Sequence, residues 1–343
     1  MKKSKCLKAG STVAIVSPSW GGPSVFPHIY QQGLHNLAEL GFNIVEYPTA
    51  TMDENKLFLN PKLRANDINK AFLDPQIDAI IATIGGSDSA RILKYLDLQA
   101  ISQHPKLFMG YSDSTSLTTT LNQVGLVTFN GPSVMAGFAQ LHNFDTQYQS
   151  YILNFLTTNP ASRALPVFDS YSHGYPEWAH LENTGMRNPL IKSRGPQVLQ
   201  GTKSVIGQLF GGCIEVLEML KGTEYWPAPS FWHTKILFLE TSQEKPSVDY
   251  VRFWLRNYGV MGVFEKINAL LIGRPRDYSD TEQVELENVI LSVVKEEFNN
   301  QHLVIVANLD FGHTDPQMIL PLGLQCSVDA QSGHLTLLEE VFA

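Results

Sequence analysis

Short apolar runs and helix-patterned segments alternate along the first half of the chain, and that alternation limits the fold more than any other feature. The runs Thr12–Ser17, Phe42–Tyr47, Ala79–Thr83, Lys106–Met109 and Val127–Phe129 are too short for helices and suit strands buried on both faces. Between successive runs lie His28–Leu40, Pro61–Leu73, Ser87–Leu96 and Thr115–Gln123, each with apolar residues at helical spacing, and Gly41, Pro75 and Gly125 act as stops. A strand, a helix and a further strand repeated in this way require crossovers, so the rhythm predicts an α/β domain built on a parallel sheet. In an open sheet of this kind ligands bind beyond the carboxyl ends of the strands. The turns Ser17-Pro18-Ser19, Gly85-Gly86-Ser87 and Gly110-Tyr111-Ser112 should therefore converge on one crevice.

From about Pro160 to Gly207 the periodicity lapses into a stretch rich in Pro, Gly, Ser, Asn and aromatic residues, which reads as a linker and a substrate-side loop. Strand-like runs resume at Val205–Phe210, Lys235–Glu240, Ala269–Ile272 and Leu303–Ala307. Helices are predicted at Asp249–Tyr258 and Thr281–Phe298, and a terminal hairpin joins Gln325–Asp329 to Leu335–Leu338. At 343 residues the chain exceeds one ordinary core. The expected division is 1–160, a linker and loop over 161–200, and a smaller mixed α/β domain with added strands over 201–343.

The formal net charge is −8, and no Lys/Arg-rich block offsets it, which argues against a nucleic-acid partner. No run reaches membrane-spanning length, and Val13–Val16 is too short for a signal segment, so no membrane partner is expected. The three cysteines, Cys6, Cys213 and Cys326, are far apart in sequence and lack metal-site spacing. A cytoplasmic protein with free thiols fits these features.

The stretch Leu107-Phe108-Met109-Gly110-Tyr111-Ser112-Asp113-Ser114-Thr115 has the form of a nucleophile elbow. A strand turning sharply into a helix would hold Ser112 in strained geometry with its hydroxyl presented to the crevice, and the Asp113 N–H at the helix start could stabilise an oxyanion. A capping turn explains the same residues, and Ser114 stands where hydrolase elbows carry a second glycine. A serine nucleophile needs a base and a group to orient it. Among ten histidines, His313 follows a buried strand within a Gly/Pro-flanked turn. The orienting acid is Glu240, closing the apolar run Ile236–Leu239, or its neighbour Glu244.

Gly110-Tyr111-Ser112-Asp113, Gly131-Pro132, Gly211-Gly212, Leu237-Phe238-Leu239-Glu240, Gly312-His313 and Pro321-Leu322-Gly323 together resemble the LD-carboxypeptidase family of serine peptidases, in order and over nearly the whole chain. The resemblance implies a Rossmann-like, flavodoxin-like N-terminal domain and a smaller β-containing C-terminal domain. It also implies a homodimer and no metal or cofactor. It maps a Ser-Glu-His triad onto Ser112, Glu240 and His313, with oxyanion donors at Asp113 and Gly86.

Gly222-Thr223-Glu224-Tyr225, His313-Thr314-Asp315-Pro316 and the aromatic loop around Trp178 are similar to the microcin C immunity branch, which cleaves aminoacyl nucleotide amides. The other branch removes a residue from murein tetrapeptides. In the first reading Trp178 stacks on the nucleobase; a loop anchor is the alternative. Cys213 and Asn130 depart from that branch's pattern, which puts a substrate hydrogen bond at Cys213 in question. Arg274, at a strand end, is a candidate anion contact or a structural arginine. A non-enzymatic nucleotide-binding module, with Gly85-Gly86-Ser87 holding a phosphate, is the reading from another class.

Overall fold

The computed structural model describes residues 1–343. The five apolar runs of the first half form a parallel sheet in the order Asn43–Glu46, Thr12–Val16, Ala79–Ala82, Leu107–Gly110, Thr128–Asn130. Numbered along the chain this is 2-1-3-4-5, the flavodoxin-like order, with its switch point between Thr12–Val16 and Ala79–Ala82. Ala79–Ala82 and Leu107–Gly110 are buried throughout, as their unbroken apolar character requires, whereas the edge strand Asn43–Glu46 is polar and largely exposed. A sixth strand, Leu320–Leu322, comes from the far end of the chain and pairs antiparallel with Thr128–Asn130.

Helices Pro27–Glu39 and Pro61–Leu73 each open on proline, whose missing N–H costs nothing in a first turn. The helix expected over Ser87–Leu96 is instead a 3-10 segment, Ser89–Tyr95. Its leading amides are taken elsewhere: Asp88 N–H and Ser89 N–H both donate to the Asp113 carboxylate. Helix Thr115–Gln123 is buried from Thr115 to Asn122, because the strand Val205–Cys213 of the second sheet packs on the side turned away from the first.

The second sheet has eight strands. Val205–Cys213, Lys235–Glu240, Ala269–Gly273 and Val304–Leu309 form its parallel centre, Gln197–Gln200 closes one edge antiparallel, and Gln325–Val328, Leu335–Leu337 and Arg163–Ala164 extend the other. The terminal hairpin is thus present. The long helix expected over Thr281–Phe298 starts on a capping box of Ser279 and Glu282, is α-helical over Asp280–Leu291, and loosens to a π-helix over Ser292–Glu297. Helices Thr146–Thr157 and Ile214–Leu220 carried no clear sequence signal.

One cluster of buried apolar residues runs through both sheets, from Val13 and Ile81 to Phe238 and Leu271. The two halves therefore share a core and present one surface to the crevice. The segment lacking periodicity contains a two-stranded ribbon, Ser170–Tyr171 with Ile191–Lys192, whose intervening loop carries Tyr175 and Trp178. A bridge between Ser172 and Asp315 ties that loop to the chain just after His313. No helix is long and apolar enough to cross a membrane.

Candidate active site

Strand Leu107–Gly110 ends at the crevice, and the chain turns through Ser112 into the helix beginning at Thr115. Ser112 has φ 58°, in the left-handed region that a residue with a side chain occupies only at a cost of roughly 1–3 kcal/mol. That conformation turns its hydroxyl out of the strand–helix corner. The Ser112 hydroxyl donates to His313 Nε2 at 3.0 Å, and His313 Nδ1–H donates to Glu240 Oε2 at 2.6 Å. The tautomer follows from the network, since a carboxylate only accepts. The three side chains come from the first sheet, the end of Lys235–Glu240 and the loop after Val304–Leu309, and all are buried: Ser112 8%, His313 5% and Glu240 1% exposed.

Burial raises the Glu240 carboxyl above its ordinary value, against the pull of His313. Between the two acids left open by the sequence, Glu240 is the one bonded to His313. Glu244 is exposed and lies along the neighbouring cavity.

Two backbone amides flank the serine. The N–H groups of Gly86 and Asp113 have no acceptor elsewhere in the protein, so both remain available to a developing oxyanion. Their loops are clamped together by the Asp113 side chain, whose Oδ2 accepts from Ser19 Oγ (2.5 Å), Asp88 N–H (2.9 Å) and Ser89 N–H (2.8 Å). Burial raises the Asp113 carboxyl, while the Ser19 and Ser89 hydrogen bonds oppose that rise. Behind them, the fully buried Arg64 grips Asp88 bidentately at 2.8 and 2.9 Å. Gly85 must be glycine for lack of room: a Cβ there would stand 2.8 Å from Ser112 Cβ and 2.9 Å from its Oγ. None of the clamp was read from the sequence, because Ser19, Arg64, Asp88 and Asp113 meet only through the sheet.

Two cavities meet at Ser112 and Gly86. One, of about 340 Å³, is lined by Trp20, Phe26, Tyr111, Tyr175, Trp178, Gln243, Arg276 and His313 among others. Trp178 stacks on Tyr175 (centroids 5.7 Å apart, planes at 20°) and meets the edge of Phe26 at 5.8 Å. Its indole Nε1–H is buried without a partner. The other, of about 400 Å³, is lined by Cys213, Glu215, Ser242, Gln243, Glu244, Tyr250 and Trp254. Cys213 is buried there with its thiol 3.3 Å from Glu215 Oε2, and burial pushes that thiol well above its ordinary range.

Arg274 lies elsewhere. Its fully buried guanidinium bonds Asp310 (2.7 Å), Asn308 (3.0 Å) and Ser193 (2.9 Å) and covers the Tyr171 ring. It reaches neither cavity and packs as the structural arginine that was the alternative reading, covered by the 170–195 segment. The cation that does face the aromatic cavity is Arg276, two residues on, and it carried no sequence signal of its own.

The LD-carboxypeptidase N-terminal domain family matches residues 13–131, and the LD-carboxypeptidase C-terminal domain family matches 206–328. The chain belongs to the LD-carboxypeptidase family. It is 30% identical to the putative carboxypeptidase YocD of Bacillus subtilis, covering 95% of this chain and 96% of the relative. It is 25% identical to the microcin C7 self-immunity protein MccF of Escherichia coli over 97% and 95% of the two chains. Among solved structures, an MccF-like protein from Streptococcus pneumoniae in complex with AMP superposes with a TM-score of 0.84 at 29% identity, covering 97% of this chain and 99% of that one. Family membership makes this chain a serine carboxypeptidase-type amide hydrolase of mixed α/β fold.

Proposed function

We propose that the protein hydrolyses the amide joining an aminoacyl group to a nucleotide-like leaving group, through an acyl-enzyme on Ser112. The observation that carries this reading is the hydrogen-bonded chain Glu240–His313–Ser112, at 2.6 and 3.0 Å, opening into a cavity walled by Trp178, Tyr175, Phe26 and Trp20. Stacked aromatic walls fit a purine face. Two relatives support that choice: one is named for microcin C7 self-immunity, and the other was solved with AMP.

In the mechanism, Ser112 Oγ attacks the scissile carbonyl carbon as His313 Nε2 takes the hydroxyl proton. Glu240 holds the imidazole and balances the imidazolium. The tetrahedral oxyanion is met by the Gly86 and Asp113 N–H groups. His313 then gives its proton to the leaving nitrogen, the C–N bond breaks, and the acyl group stays on Ser112. A water molecule, deprotonated by His313, repeats the addition and releases the acid and free Ser112. Trp178 stacks on the base of the leaving group, and Cys213 borders the acyl side as a packing surface.

The same reading carries a division into 1–160, 161–200 and 201–343, with Ser112 in the first part and Glu240 and His313 in the last. It also carries a homodimer acting in the cytoplasm. The family resemblance supports the dimer, and three cysteines that form no disulfide fit a reducing compartment. The test compares purified wild type with Ser112→Ala on an aminoacyl sulfamoyl adenosine and on an LD-linked murein tetrapeptide, following products by mass spectrometry. Ser112-dependent release from the nucleoside substrate is expected. Cleavage of the tetrapeptide alone would move the protein to the murein branch, and turnover surviving in Ser112→Ala would refute the mechanism.

A further inference from the structure

The two cavities that meet at Ser112 are electrically unlike. The one beside Cys213 contains Glu215 and Glu244 and no lysine or arginine. The aromatic one contains Arg276, the sole lysine or arginine lining either cavity. An anionic substrate group is repelled from the first and attracted to the second, so the charge pattern gives the bound substrate a direction across the scissile bond.

Arg276 is held ready for that contact. It follows Arg274, whose buried ion pair with Asp310 anchors the chain leaving strand Ala269–Gly273. Its guanidinium packs against Gly174, where a Cβ would come within 2.4 Å of Cζ and Nη2. Only glycine at 174 lets the planar group pack there. Its Nε donates to Asp277 at 3.2 Å, and its Nη groups meet no protein acceptor. The side chain is 23% exposed, so the unpaired edge is partly desolvated yet open to the cavity. A planar fork with free donors, fixed from behind, is suited to carboxylate or phosphate oxygens.

We propose that Arg276 is the specificity-determining residue for the leaving group: it binds an anion carried there, a carboxylate or a phosphate-like group, and so favours amides whose leaving part bears a negative charge over their neutral counterparts. This rests on the proposed hydrolase reading and extends it. It also gives a physical reason for exopeptidase behaviour, since a residue released from a peptide terminus carries a free carboxylate and an internal one does not.

Two ligand pairs, each differing in one anionic group, test the assignment and separate the two anion sources. Binding of AMP and of adenosine is measured by titration calorimetry to wild type, Arg276→Ala and Arg276→Lys. In parallel, kcat/KM is measured on an LD-linked murein tetrapeptide ending in a free carboxylate and on its terminal amide. In wild type, AMP is expected to bind roughly 10- to 100-fold more tightly than adenosine if the anion is phosphate-like, and the free acid is favoured by a similar ratio if it is a carboxylate. Arg276→Ala should bring that ratio to within about threefold of unity, with Arg276→Lys between the two. A merely structural arginine would weaken both members of a pair alike and leave the ratio intact. A wild type indifferent to charge in both pairs, or a ratio that survives Arg276→Ala, overturns the proposal. Because the calorimetric ratio needs no turnover, a strong AMP preference in a protein that cleaves neither peptide nor nucleoside amide would uphold Arg276 and refute the hydrolase reading.

Discussion

Glu240→Gln separates what the active site gains from a buried carboxylate from what the fold loses by keeping one. The substitution preserves shape and leaves an amide oxygen to face His313 Nδ1–H, so the imidazole keeps a partner at the 2.6 Å position. What disappears is the negative charge opposite the imidazolium that forms when Ser112 gives up its proton. Two unit charges about 4 Å apart at an effective dielectric of about 20 interact by about 4 kcal/mol, which corresponds to a rate factor of roughly 10³. A glutamine can also turn its NH₂ toward Nδ1 and enforce the wrong tautomer, adding up to about another factor of ten. The prediction is a fall in kcat of about 10³ to 10⁴ with KM nearly unchanged, measured by steady-state release of the leaving group.

Stability should move the other way. Burial raises the Glu240 carboxyl, so the unfolded chain ionises first as pH climbs past the ordinary glutamate value of about 4.3, and folded Glu240 follows only at higher pH. Across that window ionisation favours the unfolded state, and wild-type stability falls relative to the neutral glutamine variant. Glu240→Gln should therefore melt at or above the wild-type temperature at pH 7, with the difference shrinking below about pH 4, where both side chains are uncharged. A kcat within tenfold of wild type would refute the role assigned to Glu240. A variant several degrees less stable at pH 7 would refute the burial argument, since the hydrogen bond from His313 to the carboxylate would then contribute more than desolvation of the carboxylate removes.

Further substitutions probe other parts of the site. Gly85→Ala places a methyl 2.8 Å from Ser112 Cβ; kcat/KM should drop at least about 10²-fold through displacement of the nucleophile, with about 1–3 kcal/mol lost in denaturant titration from overpacking. A variant retaining full activity would mean that this loop yields freely. Arg274→Met strands the buried Asp310 carboxylate, and urea unfolding should show about 3–5 kcal/mol of destabilisation, relieved in part by adding Asp310→Asn. Loss of less than about 1 kcal/mol would contradict its role as an anchor. Trp178→Ala removes the stacking face and should raise KM for a nucleoside substrate by roughly tenfold or more without lowering kcat. An unchanged KM would remove Trp178 from the binding surface.

Features written in local sequence were legible. Ala79–Ala82 and Leu107–Gly110 are all apolar because both their faces are covered, and Gly110-Tyr111-Ser112 marks the corner because a strained turn needs particular neighbours. His313 and Glu240 could be picked out by where they sit beside strand ends; position alone leaves Glu244 open, the family resemblance favours Glu240, and Glu240 is the acid bonded to His313. Less legible were features that depend on long-range pairing. Leu320–Leu322 reads as part of the second half yet completes the first sheet, since the edge beside Thr128–Asn130 would otherwise be open. Ser87–Leu96 has helical spacing, but the amides of Asp88 and Ser89 bind a carboxylate 25 and 24 residues away and the segment tightens into 3-10 geometry. Arg274 and Arg276 look equivalent along the chain. Asp310, 36 residues further on, draws the first into the core, and Gly174, from the aperiodic segment, gives the second a surface to lie on.

The clamp around Asp113 joins the turns on either side of the first sheet's switch point into one frame. The proposed oxyanion hole needs two N–H donors aimed at one spot, and Gly86 and Asp113 belong to loops that follow different strands, Ala79–Ala82 and Leu107–Gly110. Backbone pairing in the sheet fixes the strands but not the loops beyond them. The Asp113 carboxylate supplies the missing constraint: the residue whose own amide is one donor uses its side chain to hold the amides of Asp88 and Ser89, and through them the turn that presents Gly86. Arg64 secures Asp88 from behind, and Ser19, from the first strand's turn, occupies the same oxygen. All three turns at the carboxyl end of the sheet are thereby locked to one another before substrate arrives. His313 and Glu240 approach from the other sheet, so in the proposed mechanism proton transfer and oxyanion stabilisation are built on separate frameworks that meet only at Ser112. This arrangement lets the flanking cavities, one aromatic and cationic, the other acidic, vary with substrate while the reacting geometry stays fixed.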